Sequence, residues 1–291
     1  MENNPLLSVL MTCYNRQHFI GEAIESVLAS TYQNFELIVA DDGSKDETVS
    51  IAKSYADRDN RIKVYVNEKN LGQFKNRNKA AFLSSGEYLK YVDSDDLIYP
   101  HTLEVMVDSM LKFPAAGMGF CHTIGESDQP FPYLIEPAAA YKKHYFDKGL
   151  LYTGPIGLII KREAFEKVNG FEEFGMPSDN HFSLKLAAKY PVVAMPRDLF
   201  WWRHHDEGRA FDDASSLANI FDHYNFNADV LNSVDCPLSP GQKISAIESG
   251  KKNFCRGILR SFFSSSSDRL LLKKLLKKNK IGLGFLLKNS F

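Results

Sequence analysis

The chain has 291 residues, 44% hydrophobic and 24% charged, with a formal net charge of −1. That length and apolar content suit one large α/β domain, or a domain with an appendage, and exclude a disordered or fibrous chain. Four scattered cysteines (Cys13, Cys121, Cys236, Cys255) show no metal-ligand spacing and read as reduced thiols in a cytosolic protein.

Residues 6–12, LLSVLMT, read as a first strand, followed by a turn at Cys13-Tyr14-Asn15. The N-terminus has no basic flank and no long apolar run, so neither a signal peptide nor a membrane-spanning helix is expected. Over 17–30, Phe19, Ile20, Ala23, Ile24, Val27 and Leu28 form the stripe of an amphipathic helix. Residues 35–40, FELIVA, are the apolar run of a parallel strand covered on both faces, ending at Asp41-Asp42-Gly43-Ser44. Ser44 followed by Glu47 fits a capping box and predicts a helix over about 45–55. A third strand is expected at 62–66, a loop at 67–72, a helix at 73–84 and a fourth strand at 88–92.

The fourth strand runs into Asp93, Asp95 and Asp96. Like charges this close repel unless neutralised. A divalent cation with a phosphate ligand is one neutraliser, since Mg2+ and Mn2+ take one or two carboxylates and fill the rest with water and phosphate. A solvated acidic turn before the helix expected at 101–112 is the alternative. Four strand–helix alternations argue for a parallel sheet with right-handed crossovers, whose ligands bind outside the carboxyl ends of the strands. Tyr14-Asn15, Asp41-Asp42, Asn70 to Gly72 and Asp93 to Asp96 all fall there, which predicts a ligand site.

Further on, a short strand is expected at 117–121. A loop rich in proline and aromatics at 127–137 is expected over the site. A helix at 161–168 stops at Asn169-Gly170, another runs over 180–190, and a strand over 192–196. Residues 200–209, FWWRHHDEGR, form a dense aromatic and charged cluster.

The order of the stretches SVLMTCYNR, FELIVADDGSKDET, NLGQFKNRNKA, GEYLKYVDSDD and KREAFEKVNGFEE resembles the family 2 glycosyltransferases with the GT-A fold. The resemblance spans about residues 6–206. It implies a Rossmann-like, mostly parallel sheet flanked by helices, with a C-terminal helical extension. It further implies a metal-dependent, inverting transfer of sugar from a nucleotide-sugar, a UDP-sugar, to a glycan or lipid-linked acceptor in cell-surface polysaccharide synthesis. Donor-binding residues by this resemblance are Thr12, Tyr14, Asn15, Asp41, Asp42, Asn70, Arg77, Asp93 and Ser94. Asp41 is favoured for the base, because a carboxylate accepts from the uracil N3–H, and Tyr14 can pack on the ring. Arg77 would face the pyrophosphate. Asp93 and Asp95 match the DxD motif, Asp95 the better ligand of Mn2+ or Mg2+, with His205 as a further metal or diphosphate ligand and Arg203 assisting. Asp96 begins the next turn in this reading. Asp179 matches the catalytic base, while Ser178 stands where the family carries a glutamate. Asp179 is equally placed to N-cap its helix.

The last 41 residues, 251–291, carry 11 Lys/Arg and one acid, leaving −11 on residues 1–250. Within them, LLLKKLLKK at 270–278 puts five leucines on one side of a helix and four lysines on the other. Such a helix can lie on an anionic membrane surface; docking of the leucines on the protein is the alternative. Residues 264–267 read as a hinge. The acidic body and the lack of interleaved aromatics argue against nucleic acid. The expected organisation is a catalytic domain over 1–234, its nucleotide half about 1–100 and acceptor half about 101–234, followed by a basic extension over 235–291. The protein is expected in the cytoplasm, peripheral at the inner membrane face. Two other readings stand beside the enzyme. A nucleotidyltransferase lacks its glycine-rich loop here, and a catalytically degenerate nucleotide-binding relative is kept open by Ser178.

Overall fold

The structure is a computed structural model that describes residues 4–121, 129–147, 149–175, 177–205, 217–264, 268–278 and 281–289. The chain divides into two compact units: Met1–Glu172 with Phe182–His204, and Glu173–His181 with His205–Phe291.

The first unit runs β1 (Leu7–Cys13), α1 (Ile20–Leu28), β2 (Phe35–Asp41), α2 (Thr48–Ala56), β3 (Ile62–Val66), α3 (Gln73–Phe82), β4 (Tyr88–Tyr91) and β5 (Leu97–Ile98). It continues with α4 (Thr102–Lys112), β6 (Met118–Cys121), β7 (Tyr133–Ile135), α5 (Pro137–Phe146), β8 (Leu158–Lys161) and α6 (Arg162–Lys167). Helix α7 (Ser178–Lys189) follows, its first turn belonging to the second unit, and β9 (Val192–Met195) and β10 (Phe200–Trp201) close the first. Eight strands form one sheet in the order β3-β2-β1-β4-β8-β6-β9-β7. Strands β3, β2, β1 and β4 are mutually parallel, and β8 enters antiparallel between β4 and β6. Every residue of β2 is buried, as its continuous apolar run demands of a strand covered on both faces. Val9, Met11, Ile24, Val39, Leu103, Met106 and Ile159 pack into one core, with the α1 stripe turned into it.

Two local expectations differ from the structure. Helix α2 starts at Thr48 rather than Lys45, because Ser44 is not a cap: its hydroxyl donates to Asp41. Asp46 instead takes the Thr48 N–H, at 3.1 Å. Part of the segment expected to be a loop over the site, residues 133–135, is the edge strand β7. Tyr133, Leu134 and Ile135 pair antiparallel with β9 at the sheet edge opposite β3, and Pro137 then opens α5. Residues 127 and 128 of that segment lie outside the described residues. Asn169 and Gly170 do stop α6, both with positive φ.

Among its described residues beyond 216, the second unit carries α8 (Leu217–Asn232), α9 (Pro240–Ser264), α10 (Asp268–Lys278) and α11 (Leu283–Lys288). Leu217, Phe221, Phe254, Cys255, Ile258, Leu272 and Leu286 form its core, with Leu275 and Leu276 packed against it. Leu272, Leu275 and Leu276 are thus taken up by the protein's own packing, while Lys273, Lys274 and Lys277 remain exposed. Helix α8 packs with the tail, so the compact unit begins well before residue 235. Ser264 ends α9, and the remainder of the expected hinge, 265–267, lies outside the described residues. Among the described residues no helix is long and apolar enough to cross a membrane.

Candidate active site

The loops that leave β1, β2, β3 and β4 at their carboxyl ends are tied to one another by polar side chains. Asn15 adopts φ 52°, a left-handed conformation that asparagine tolerates. Its N–H donates to Ser44 Oγ at 2.8 Å, and its Oδ1 accepts from the Lys45 N–H at 2.9 Å. The loops after β1 and β2 are thereby joined. Thr12 and Cys13 end β1 in register with Ala40 and Asp41, and Tyr14 stands 44% exposed beside them.

Asp41 and Asp42 are both buried. Asp41 Oδ1 accepts from the Gly43 and Ser44 N–H groups at 3.0 and 2.9 Å, and Oδ2 accepts from the Ser44 hydroxyl and the Cys13 thiol. Burial, with Asp41 beside it, pushes the Cys13 thiol up, so it stays protonated and inert. Asp42 joins β2 to the loop after β3, accepting from Asn67 Nδ2 and the Leu71 N–H at 2.8 Å and from the Gly72 N–H at 3.0 Å. Gly72 sits at φ 88°, which glycine alone adopts freely. Asn70 is exposed and accepts from the same Gly72 N–H. Both carboxylates therefore organise loop backbone at the strand ends.

After β4 each acid has an arginine nearby. Arg77, 2% exposed, donates from Nη2 to Asp93 Oδ1 at 2.9 Å. Phe74 and Phe171 flank its guanidinium at 5.7 and 6.0 Å from their ring centroids. Arg16 Nε donates to Asp95 Oδ2 at 3.0 Å, with both side chains about one-fifth exposed. Asp96, 3% exposed, accepts from the Arg203 N–H at 2.9 Å. Burial, reinforced by Asp93 and Asp95, pushes its carboxyl up to about 7. The Arg203 guanidinium donates to the Asp95 carbonyl at 3.0 Å and lies over Trp201 and Phe19. Arg203 reaches this turn because β10 pairs with β5. Ser94 is buried within the turn. Guanidinium groups thus neutralise Asp93 and Asp95, while Asp96 is left with a backbone donor and a raised pKa. Within β4, burial pushes the Lys90 ammonium down to about 8, and it donates to the Ile156 carbonyl.

Sequence reasoning missed Arg16 as the partner of Asp95 and the amides of Asn67 and Asn76. Arg16 directly follows Tyr14-Asn15, which is the signal that could have found it. Asn67 and Asn76 bond each other at 2.9 Å, and Asn76 donates on to the Ala40 carbonyl at 2.8 Å.

In the second unit, Asp179 is the second residue of α7 and lies within its first turn, where the helix dipole favours a carboxylate. It is therefore inside the helix rather than its N-cap. Ser178 is buried, its hydroxyl accepting from the Phe174 N–H and donating to the Gly175 carbonyl, each at 2.8 Å. His205 also belongs to this unit.

Among the described residues no three His, Cys, Asp or Glu side chains gather as a metal cage. Asp93 and Asp95, partly exposed and two residues apart, suit a different arrangement. A cation such as Mg2+ or Mn2+ binds through one or two carboxylates and completes its shell with water and phosphate.

The profile of Glycosyl transferase family 2 matches residues 8–168, more than half of the chain. Glycosyltransferase GlyG of Streptococcus pneumoniae serotype 4 is 32% identical over 217 residues, 74% of this chain and 65% of GlyG. An uncharacterized glycosyltransferase of Haemophilus influenzae is 37% identical over 110 residues, 38% of this chain and 44% of that protein. WfgD of Escherichia coli, a UDP-Glc:alpha-D-GlcNAc-diphosphoundecaprenol beta-1,3-glucosyltransferase, is 40% identical over 107 residues, 37% of this chain and 42% of its own. The chain spans between 42% and 65% of the length of these three relatives. Among solved structures, Staphylococcus aureus TarS (1–349) with UDP-GlcNAc matches at a TM-score of 0.69 and 20% identity, over 90% of this chain and 77% of that one. The mannosyltransferase PcManGT of Pyrobaculum calidifontis, with GDP-Man and Mn2+, matches at 0.64 and 17% identity, over 99% and 84%. These likenesses show the fold, a GT-A sheet flanked by helices.

Proposed function

The chain belongs to glycosyl transferase family 2, and from that premise we propose that it is an inverting glycosyltransferase moving a sugar from a UDP-sugar to a glycan or lipid-linked acceptor. The observation that carries this reading is the cross-tied set of loops at the carboxyl ends of β1 to β4, where a doubly wound sheet binds its ligand. Tyr14, exposed, offers a ring face to the base. Asp41 and Asp42 act by holding the loops around it, with Thr12, Asn15, Asn70 and Ser94 lining them. Arg16 and Arg77 supply positive charge to the diphosphate.

In the reaction the acceptor oxygen attacks the sugar C1, and the bond from C1 to the diphosphate oxygen breaks on the opposite face. Asp179 takes the acceptor proton, and the nucleoside diphosphate leaves with the electron pair. A Mn2+ or Mg2+ ion held by Asp95 and Asp93 would stabilise charge on that leaving group. TarS and PcManGT, solved with UDP-GlcNAc and with GDP-Man and Mn2+, support this donor and metal class. Calorimetric titration with UDP, GDP and TDP, with and without Mn2+, tests it. UDP binding that requires Mn2+ is expected. GDP or TDP binding would change the donor, and no nucleotide binding would overturn the reading.

The second reading, a degenerate binder, is favoured by Ser178, whose hydroxyl is committed to its own loop. Donor turnover by the wild type excludes it. For location, the exposed Lys273, Lys274 and Lys277 supply a basic face for an anionic membrane surface, each contributing about 1 kcal/mol near the headgroups. Vesicle co-sedimentation that survives reversal of all three to glutamate would reject that surface.

A further inference from the structure

The geometry points to a saccharide-binding cleft in the second unit, lined by Phe174, Asn225, Ala228, Asp229, Asn232 and Ser233, with a volume of about 570 Å³. The depression is broad and open to solvent, so it would cover one face of a ligand rather than enclose it. Asn225, Asp229 and Asn232 lie at i, i+4 and i+7 along α8, so they share one face, and all three are exposed.

The opposite wall is built by the loop that leads into α7, and several contacts fix it. The Ser178 hydroxyl binds the Phe174 N–H and the Gly175 carbonyl. Gly175 adopts φ 72°, and a Cβ there would stand 2.1 Å from Asp222 Oδ2. The φ of Gly175 favours glycine there. The Phe174 ring packs on His181 with centroids 4.1 Å apart. His181 is fully buried, and its Nε2 lies 3.0 Å from Asp229 Oδ2. A carboxylate only accepts, so this nitrogen carries the proton. His181 thus orients Asp229 through one oxygen, while the Asp229 side chain stays 56% exposed.

The chemistry of the lining selects the ligand class. A sugar ring presents neighbouring hydroxyls, each donor and acceptor, and C–H faces that are apolar. Asp229 and the carboxamides of Asn225 and Asn232 match the hydroxyls. Asn225 makes no side-chain hydrogen bond among the described residues, and Asn232 spends one N–H on the Ala228 carbonyl, keeping its amide oxygen. The half-buried Phe174 ring offers an apolar surface to C–H groups. Among the described residues no lysine or arginine lines the cleft, which favours a neutral ligand over a phosphate or diphosphate. The same loop and helical turn carry Asp179, directly after Ser178 and two residues before His181. The assignment rests on the transferase reading, for which the cleft supplies the site of the acceptor's saccharide portion.

Saturation-transfer NMR on the full chain with the methyl glycosides of N-acetylglucosamine, glucose and galactose tests the cleft, alongside the UDP titration. At least one glycoside is expected to bind. Its affinity should fall about tenfold or more in Asp229→Ala and Phe174→Ala, the size of a lost charged hydrogen bond or stacking contact, with UDP binding unchanged. Asn225→Ala alters only an exposed side chain, so it decides the matter should the other variants unfold: a loss of about threefold is expected for one neutral hydrogen bond. Binding of none of the three glycosides, or binding equal to wild type in the folded variants, would overturn the cleft. Failure to bind UDP would count against the transferase reading alone. Glycoside binding lost in the variants would support the cleft even then.

Discussion

In the first unit Asp42 is buried and accepts three hydrogen bonds from the loop after β3; in the second, Asp229 is exposed and holds a single histidine. The same side chain does two different physical jobs. At the strand ends, Asp41, Asp42, Asp93, Asp95 and Asp96 are bound into loops by backbone N–H groups, amides and arginines, so their first effect is on shape. Along α8 the polar face stands over a small apolar core that does not need it. A carboxylate at a strand end is thus weak evidence for ligand contact until its hydrogen bonds are counted, whereas an exposed one held by a buried histidine has an oxygen to offer.

The sharpest test of this contrast is chemical. Asp179→Asn should lower transfer by roughly a hundredfold or more, the usual scale of general-base catalysis, while UDP binding by calorimetry stays normal. Near-normal turnover would remove Asp179 as the base. Next, Asp42→Ala leaves the Leu71 N–H without its acceptor and takes one of two acceptors from the Asn67 amide and the Gly72 N–H, and should cost about 2–3 kcal/mol in urea unfolding.

A comparable effect should appear with pH. Burial works against the charged form of Glu36, but donors from Lys63, Ser85 and Ser8 outweigh it and hold the carboxyl down at about 2, against an ordinary value of 4.5. A depressed acid contributes stability that is fully present above pH 4.5 and lost as the pH falls towards 2, here on the order of 3 kcal/mol. Glu36→Gln should flatten that part of the acid-unfolding curve; an unchanged curve would show that the group does not set acid stability.

Leu272→Ala, in the small core of the second unit, should cost about 2–3 kcal/mol as a buried cavity. A cost near zero would return the α10 leucines to an unpacked face. At the bottom of the scale, Asn225→Ala should shift stability by no more than about 0.5 kcal/mol, as an exposed substitution does. Should it cost as much as Asp42→Ala, the distinction between the two regions falls.

Most of the α/β framework is legible in the chain. The apolar runs of β1 and β2, the stripe of α1, the Asn169-Gly170 stop and the clustering of polar turns at strand ends follow from local chemistry. Two misplacements have a common cause. Ser44 looks like a helix cap only until Asp41 is placed next to it, and residues 133–135 look like loop until β9 offers an edge to pair with. Both sequence patterns were real, and a stronger partner elsewhere in the chain decided the outcome.

What the sequence determined by itself was the order of elements through β4 and the parallel character of that first half. These depend on periodicity over a few residues and on turn chemistry, which act within a short stretch of chain. Only the tertiary structure decided who neutralises whom. Arg16 meets Asp95 across 79 residues of chain, and His181 meets Asp229 across 48. Pairings of that kind depend on the whole packed sheet or bundle bringing two side chains within about 3 Å, the reach of a hydrogen bond, and no local pattern encodes them.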